Sequence, residues 1–348
     1  MSRAAAQTEA PGTRRIRRAA TVPAALLGGL LAPLFLLPGL LLALAADALR
    51  RRGLVATRAV AFGAVFLLSE AGGLIAAGAI WLAAGPWTGK PPEHWLQANF
   101  RLQCLWARAL FGAARRIFAL KVQVDEGQAR LGRGPLLLFA RHASILDTLL
   151  PAVFVSARHR LRLRTVLKRE LLADPCLDVV GNRLPNVFVR RGSERPEAEI
   201  ASIAALGRDL ALDEGVLIYP EGTRFTPARR EQALARLAAA GDGARRRRAE
   251  ALRSVLPPRS AGPLALLEAA PEADVVFLAH VGLEGLVTPG DALRHLAGRR
   301  LALCFWRVPC SRIPESREAR LAWLDAEWAR LDAWVARGGR ELPRAAAG

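Results

Sequence analysis

Lysine, tyrosine and cysteine are scarce in this chain of 348 residues. A single tyrosine leaves no aromatic platform interleaved with basic residues, which disfavours a stacking surface for nucleic acid. The four cysteines lie far apart without Cys-x-x-Cys spacing, which excludes a zinc ribbon and a disulfide framework and predicts reduced thiols. They are Cys104, Cys176, Cys304 and Cys310. With 52% hydrophobic and 23% charged residues, the chain is not intrinsically disordered.

Basic residues outnumber acidic ones by 50 to 31, which gives a formal net charge of +19. Such a balance favours anionic partners, namely nucleic acid, a membrane surface or phosphate-bearing substrates. Only Lys90, Lys121 and Lys168 are lysines. That skew towards arginine is typical of a biased genome composition, so the arginine count by itself identifies no ligand.

Two long apolar runs occupy the N-terminal quarter of the chain. The first, 19–46, has no charged residue, and the second, 59–89, has only Glu70. Each exceeds the ~20 residues that cross the hydrocarbon core of a bilayer. The sequence therefore predicts a basic tail over 1–18, two hydrophobic membrane helices over 19–89, a separate domain over 90–312, and a C-terminal amphipathic helix and tail over 313–348.

The topology of the apolar pair stays open between two full spans and a hairpin that dips into one leaflet. Basic residues flank the first run on both sides, at Arg14, Arg15, Arg17 and Arg18 and at Arg50, Arg51, Arg52 and Arg58. The positive-inside rule places both groups in the cytoplasm, which two full spans cannot satisfy. Proline residues at 33 and 38 also interrupt the first run. We expect Glu70 to bond a neighbouring helix or backbone group.

Beyond residue 89, short apolar runs alternate with segments of helical spacing. This alternation predicts an α/β domain with a mainly parallel sheet flanked by helices. Strands are expected at 120–124, 135–140, 163–167, 186–190, 215–219, 274–282 and 300–309. Helices are expected at 94–119, 144–157, 196–212 and 315–338, and over 226–255 in two pieces split at 241–243.

One segment that carries chemistry contains His142 and Asp147, at the end of a predicted strand. On a regular helix these residues would lie ~140° apart, but they meet if His142 is on the turn and Asp147 in the first helical turn. A carboxylate on one imidazole nitrogen would leave the other free as a general base. Alternatively, Asp147 only caps the helix and His142 is an ordinary loop residue. No Gly-x-Ser-x-Gly motif is present, so the nucleophile would arrive on the substrate.

A second segment, Tyr-Pro-Glu-Gly-Thr-Arg over 219–224, follows a buried-type strand. Ligands bind beyond the carboxyl ends of such strands in open α/β sheets. Arg224 offers a planar fork for phosphate, Thr223 a hydroxyl, and Gly222 a close backbone approach. The alternative is an Arg–Glu pair that braces a turn. Between the two segments, Lys168 is a candidate point charge for an anion.

These blocks resemble the glycerolipid acyltransferases. In order, they are His-x4-Asp (His142, Asp147), Gly…Phe-Val-x-Arg (Gly181, Phe188, Arg191) and Tyr219–Arg224. The Lys168…Leu172…Pro175 run and Leu256–Arg259 are similar to the lysophospholipid branch. The resemblance covers about residues 95–310 and includes the membrane-anchored N-terminus.

The resemblance implies that His142 is the base and Asp147 its orienting partner. It implies a binding set for the glycerol phosphate of the acceptor, namely Arg191, Glu221, Gly222, Thr223 and Arg224. The implied reaction moves an acyl group from acyl-CoA or acyl carrier protein to a lysophospholipid, with 1-acylglycerol-3-phosphate favoured over glycerol-3-phosphate and other lysophospholipids. We expect no metal or cofactor, no nucleic acid, an anionic membrane partner, and a catalytic domain on the cytoplasmic face.

The chain departs from the family pattern at three places. Arg141 stands where many members have Asn, Tyr219 replaces Phe, and the fourth block reads Phe-Leu-Ala-His-Val over 277–281 instead of Val-Pro. A rival interpretation is a non-catalytic basic binding protein at the membrane. The run Arg245–Arg248 motivates it, although a solvated helix face explains that run more simply and no helix-turn-helix signature is present.

Overall fold

The structure, a computed structural model, describes residues 11–51, 53–85, 92–127, 129–189 and 196–340. Two long helices open it, α1 (Pro11–Arg50) and α2 (Val55–Ala84). The predicted basic tail of 1–18 thus continues into α1, while residues 1–10 lie outside the described part. The helices are antiparallel, because Gly29 packs against Ala71 while Asp47 accepts hydrogen bonds from the N–H groups of Ala56 and Thr57 at 2.9 and 2.8 Å.

The remaining elements alternate as the sequence predicts. The helices are α3 (Glu93–Ile117), α4 (Pro175–Gly181), α5 (Pro196–Leu206), α6 (Pro227–Ala239), α7 (Gly243–Ala251), α8 (Ala261–Ala269), α9 (Pro289–His295) and α10 (Arg317–Ala336). The strands are β1 (Lys121–Asp125), β2 (Leu136–Ala140), β3 (Arg162–Lys168), β4 (Val187–Val189), β5 (Glu214–Ile218), β6 (Asp274–Val281) and β7 (Arg300–Val308).

The seven strands form one sheet in the order β1-β7-β6-β2-β5-β3-β4. All neighbouring pairs are parallel except β6 and β7, which are antiparallel. The fold class is therefore confirmed: a mainly parallel sheet with helices on its faces. Strand β2 lies in the middle, fully buried along its length, and the residues that follow β2, β3 and β5 all emerge at the same edge.

The helix expected over 144–157 is present over Asp147–Ala157, but its geometry is irregular. Residues 144–157 form a short 3₁₀ turn at Asp147–Leu149 and a π-helical segment at Ala152–Ala157 instead of a regular α-helix. Pro151 separates the two, and its missing N–H removes one α-helical hydrogen bond. The Asp147 carboxylate also holds the N–H groups of the preceding turn.

Helix α10 shares the core of the sheet. Trp328 is fully buried on it and donates from its indole nitrogen to the carbonyl of Leu256 at 3.0 Å. The ring of Phe277 on β6 stacks on Trp306 of β7 at 5.1 Å between centroids and lies 6.4 Å from the ring of Trp328. The C-terminal helix is thus part of the structure that supports the carboxyl edge of the strands.

Candidate active site

His142 follows β2 by two residues and lies on the turn at the carboxyl edge of the sheet. Asp147 begins the 3₁₀ turn that comes next. Their side chains meet, with the Nδ1 of His142 2.9 Å from the Oδ1 of Asp147. Both are buried, with exposed fractions of 6% and 1%. The strand–turn placement that the spacing required is the one that the chain adopts.

The other oxygen of Asp147 caps the turn. Oδ2 accepts the N–H groups of Ala143 and Ser144 at 2.6 and 2.8 Å. Burial raises the pKa of Asp147, but the charges and hydrogen bonds of His142 and His280 outweigh burial and lower this pKa below its usual value. The ionised carboxylate can only accept, so the Nδ1 of His142 carries the proton and Nε2 is the acceptor. The capping role and the orienting role, posed as alternatives from the sequence, coexist here.

The Nε2 of His142 contacts Lys168, which ends β3. The distance from the lysine Nζ is 3.1 Å. Burial lowers the pKa of His142, the Asp147 carboxylate opposes that shift, and the charges of Lys168 and Arg224 add to it. The net shift is downward from 6.5, so the imidazole is neutral at neutral pH. A neutral imidazole with a fixed tautomer is the form that can accept a proton.

Glu221 lies beneath the loop and does not line the cavity above it. One carboxylate oxygen accepts the N–H of His142 at 2.8 Å and the other accepts the N–H of Leu256 at 2.9 Å. The side chain is only 2% exposed, and burial raises the pKa of Glu221 to about 8. The sequence resemblance assigned this residue to the acceptor, but its place in the structure is that of a brace between β2 and the 254–256 segment.

The rest of the predicted binding set divides by position. Gly222 reaches the cavity, and at its φ of +65° a Cβ would lie 2.9 Å from the Cδ of Arg259. Thr223 is buried, and Arg224 donates to the carbonyl of Val287, so neither lines the cavity. Arg191 lies outside the described residues.

A cavity of about 330 Å³ opens above the imidazole. Its polar wall consists of His142, Lys168, Tyr219, Glu199 and Arg259. A second cavity of about 160 Å³ adjoins it and shares three lining residues, Thr148, Leu167 and Leu171. The second cavity is lined mostly by apolar side chains from α3, β3 and β5. Together they offer a basic compartment beside an apolar one.

Two residues that line the cavity were not predicted from the sequence as site residues. Arg259 belongs to the Leu-Pro-Pro-Arg run, which was quoted for the resemblance without a role. Tyr219 was noted only as a departure, yet its ring lies 4.9 Å from the His142 ring and its hydroxyl donates to the carbonyl of Asp147 at 3.4 Å. In the part of the chain that the structure describes, no group of three or more His, Cys, Asp or Glu residues could hold a metal ion.

The four-arginine run is partly tied down by acidic partners. Arg245 is buried and donates to Asp325 and to the carbonyl of Pro258. Arg248 pairs with the same carboxylate at 3.2 Å, and Arg246 pairs with Glu250 at 2.8 Å. Arg245 and Arg248 therefore fasten α7 to α10, while Arg246, Arg247 and Arg248 stay exposed, as expected of a solvated helix face.

The comparison with family models agrees with the sequence resemblance. The family model described as Acyltransferase matches residues 121–261, which include His142, Lys168 and Glu221. Among solved structures, the crystal structure of the 1-acyl-sn-glycerophosphate (LPA) acyltransferase PlsC from Thermotoga maritima is similar to this chain at 14% sequence identity. That alignment covers 80% of this chain and 98% of that chain, with a TM-score of 0.45. No curated protein matches the chain.

Proposed function

We propose that the chain acylates a lysophospholipid, because the family model described as Acyltransferase matches residues 121–261 and the sequence blocks resemble the glycerolipid acyltransferases. The acyl group would come from a thioester, acyl-CoA or acyl carrier protein. The favoured acceptor is 1-acylglycerol-3-phosphate, which gives phosphatidic acid. One observation carries this proposal: the Nε2 of His142 faces a cavity that also contains Lys168, while Asp147 holds the opposite nitrogen.

The proposed step needs no nucleophile from the protein. Neither serine nor cysteine occurs among the described residues that line the cavity. The acceptor hydroxyl gives its proton to the Nε2 of His142 as its oxygen attacks the thioester carbonyl carbon. The new C–O bond forms, the C–S bond breaks, and the imidazolium returns the proton to the departing thiolate. General-base assistance contributes about 10²–10⁴ in rate, and Asp147 supports the imidazolium while it exists.

The basic compartment suits a phosphate monoester. Lys168 and Arg259 both line it, and the left-handed turn at Gly222 lets the backbone approach. The Lys168 ammonium now occupies the lone pair of His142. A phosphate on the acceptor would draw the ammonium away, because a dianion attracts a cation more strongly than a neutral imidazole does. The same group would therefore bind the acceptor and uncover the base.

The apolar compartment suits a fatty chain. Leu149, Leu163 and Leu217 line it together with residues of α3, and it joins the basic compartment at Thr148. A chain seated there would bring its carbonyl to the junction, near His142. The lysophospholipid acceptor is favoured over glycerol-3-phosphate on the sequence resemblance. No metal or cofactor enters this proposal.

The membrane attachment that the contacts support is a hairpin lying along the domain. Helix α2 touches the domain at Phe62, whose ring lies 5.8 Å from that of Phe118, and again at Ala77, whose carbonyl accepts from Arg183. Between them, Glu70 accepts from the Trp106 indole and the Cys176 N–H at 3.0 Å each. The fifteen residues of α2 between these two contacts span about 22 Å, which is most of the ~30 Å thickness of the hydrocarbon core of a bilayer. Over that length α2 lies against the domain.

Helix α1 would supply the lipid-facing surface. It is 40 residues long, or about 60 Å, which is twice the hydrocarbon thickness. Its outer face exposes large apolar side chains, among them Leu30 at 75% and Leu34 at 68%. If this face is buried in one leaflet, its apolar composition is explained and α1 need not cross the membrane. The domain would then remain on the cytoplasmic side, where the donors occur.

Purified protein in nanodiscs, supplied with radiolabelled acyl-CoA, tests the proposal. We expect labelled phosphatidic acid from 1-acylglycerol-3-phosphate, and less product from glycerol-3-phosphate and from lysophosphatidylcholine. His142→Ala should abolish product formation, while His295→Ala, at an exposed histidine of α9, should retain it. A parallel reaction with radiolabelled acyl-acyl carrier protein in place of acyl-CoA identifies the donor. If His142→Ala matches the wild type, the proposed base is wrong.

A further inference from the structure

Two departures from the family pattern, Arg141 and His280, are hydrogen-bond partners of each other. Arg141 donates from Nη1 to the carbonyl of His280, and the Nε2 of His280 lies 3.2 Å from the carbonyl oxygen of Arg141. Their exposed fractions are 1% and 0%. Strands β2 and β6 are parallel neighbours, so this exchange joins their carboxyl ends directly before His142.

His280 also reaches the carboxylate that holds His142. Its Nε2 lies 3.5 Å from the Oδ2 of Asp147. Both neighbours of that nitrogen, an ionised carboxylate and a carbonyl, can only accept. The Nε2 of His280 must therefore carry a proton, which it shares between Asp147 and Arg141. The Asp147 carboxylate lies between two imidazoles, one on each oxygen.

The other ring nitrogen of His280, Nδ1, is buried and lacks a hydrogen bond to any of the described residues. Leaving a buried acceptor unpaired is costly, so an apolar side chain at this strand position would be more stable. A residue kept at that cost in a fully buried strand needs a role other than packing.

Arg141 fixes the backbone at which this network begins. It donates from Nη1 to Glu284 at 2.5 Å and from Nη2 to the carbonyl of Ser254 at 3.0 Å. The guanidinium thus joins β2 to two loops, and the next residue in the chain is His142. Any shift of the Arg141 carbonyl would move both the His280 donor and the His142 backbone.

We infer that Arg141 and His280 are a positioning pair that acts on His142 through Asp147, an inference that rests on the proposed function. The His280 donor holds Oδ2 so that Oδ1 stays aligned with the Nδ1 of His142. It also draws negative charge away from Oδ1, which weakens the support that the carboxylate gives to a protonated His142.

A pH readout separates this role from a merely structural one. The charged and titratable groups that face His142, Asp147 or the pair are Lys168, Tyr219, Glu221, Arg224 and Glu284. A variant with a substitution at His280 keeps all five of these side chains. A shift in the titration of His142 on replacing His280 therefore reports the loss of the donor on Asp147.

Three variants of β6 make the kinetic test. His280→Leu removes the donor, His280→Gln keeps an N–H near the same place, and Leu278→Val is the matched control for a disturbed buried strand. His280→Leu should lower kcat about 10-fold, because small misplacements of a base are costly, with KM within about twofold. Its acid limb should move to higher pH. His280→Gln should recover most of kcat, and Leu278→Val should change neither quantity.

A double-mutant cycle tests the pairing. If Arg141 and His280 act as one unit, Arg141→Met with His280→Leu should lower kcat no further than the worse single variant. Additive losses would overturn the pairing. Wild-type kcat and acid limb in His280→Leu would overturn the positioning role while leaving the proposed function intact.

A measurement without turnover keeps the two proposals separable. In protein labelled with ¹⁵N-histidine, the imidazole resonances of His142 are assigned by their loss in His142→Gln. We expect His142 to titrate at higher pH in His280→Leu than in the wild type. An unchanged titration refutes the inference even if no acyl acceptor is found, whereas failure of every acceptor refutes only the proposed function.

Discussion

The ammonium of Lys168 lies 3.1 Å from the Nε2 of His142, on the lone pair that a general base needs. A lysine in this position opposes protonation of the imidazole in two ways, by occupying the lone pair and by its charge. The Nε2 of His142 is therefore free to accept a proton only when another group attracts Lys168. Among proposed acceptors, only those with an anionic group near the reacting hydroxyl would attract it.

Lys168→Met should separate acceptors by charge. With 1-acylglycerol-3-phosphate we expect KM to rise about 10- to 100-fold, the value of a charge-assisted hydrogen bond. With a neutral monoacylglycerol the slow basal turnover should stay the same or increase, because nothing then covers Nε2. Steady-state kinetics with both acceptors measures the difference. Lys121→Met, at the exposed start of β1, is the control, and equal losses on both acceptors would contradict the lysine's role.

The acid limb of kcat/KM should report His142. Since burial and the nearby cations lower the pKa of His142, the neutral base persists below 6.5 and activity should fall only at lower pH. Lys168→Met removes one of those cations, so its limb should lie at higher pH than that of the wild type. Profiles recorded with saturating acyl-CoA decide the point. A wild-type limb above 6.5 would show that another group controls the reaction.

Glu221→Gln should loosen the loop that carries the base. The amide can accept only one of the two N–H groups, from His142 and Leu256, that the carboxylate now accepts. We expect a loss of about 1–3 kcal/mol and a melting temperature lower by several degrees. Thermal unfolding in detergent measures it, with Glu272→Gln at an exposed position as control.

The same carboxyl gives the wild type a pH-dependent stability. Its pKa is raised from 4.5 to about 8 in the folded chain, so the folded state holds this proton more tightly than the unfolded state. The resulting stabilisation is complete below pH 4.5 and is lost as pH rises through 8. Glu221→Gln should flatten that decline. An equal slope in both proteins would mean that Glu221 is ionised throughout.

Asp178→Asn should release the start of α1. The Asp178 carboxylate, fully buried, accepts from Arg17 at 3.0 Å and from Arg18 at 3.1 Å. Because both arginines can rehydrate, we expect a local loss of about 1–2 kcal/mol and amide exchange about 5–30 times faster near Arg17. Hydrogen–deuterium exchange measures it. Asp209→Asn, an exposed position, serves as control, and equal exchange in all three proteins would show that this contact does not hold α1.

Thiol labelling should place the hairpin connector on the same side as the domain. In a Cys310→Ser background, whose remaining cysteines are buried, Arg51→Cys and Glu272→Cys each add one exposed thiol. An impermeant reagent applied to sealed vesicles of one orientation should label both or neither. Labelling of one alone would establish two full spans and exclude the hairpin that lies along the domain.

Local features of this site were predictable because they depend on neighbours in sequence. The distance between His142 and Asp147 is set within one turn after a strand. The helix expected over 144–157 starts at Asp147 and is irregular for a local reason too. Apolar spacing does not register that Pro151 lacks a donor or that Asp147 satisfies the preceding N–H groups.

Composition and patterning by themselves indicated two long apolar segments, a mainly parallel sheet, and a histidine that meets a carboxylate if it stands on a strand–helix turn. Tertiary structure decided the rest. Glu221 lies 79 residues from the N–H that it holds, and His280 lies 139 residues from the carbonyl that it bonds. Such contacts follow from β5 and β6 flanking β2, an order set by the packing of the whole domain, which no stretch of sequence encodes locally.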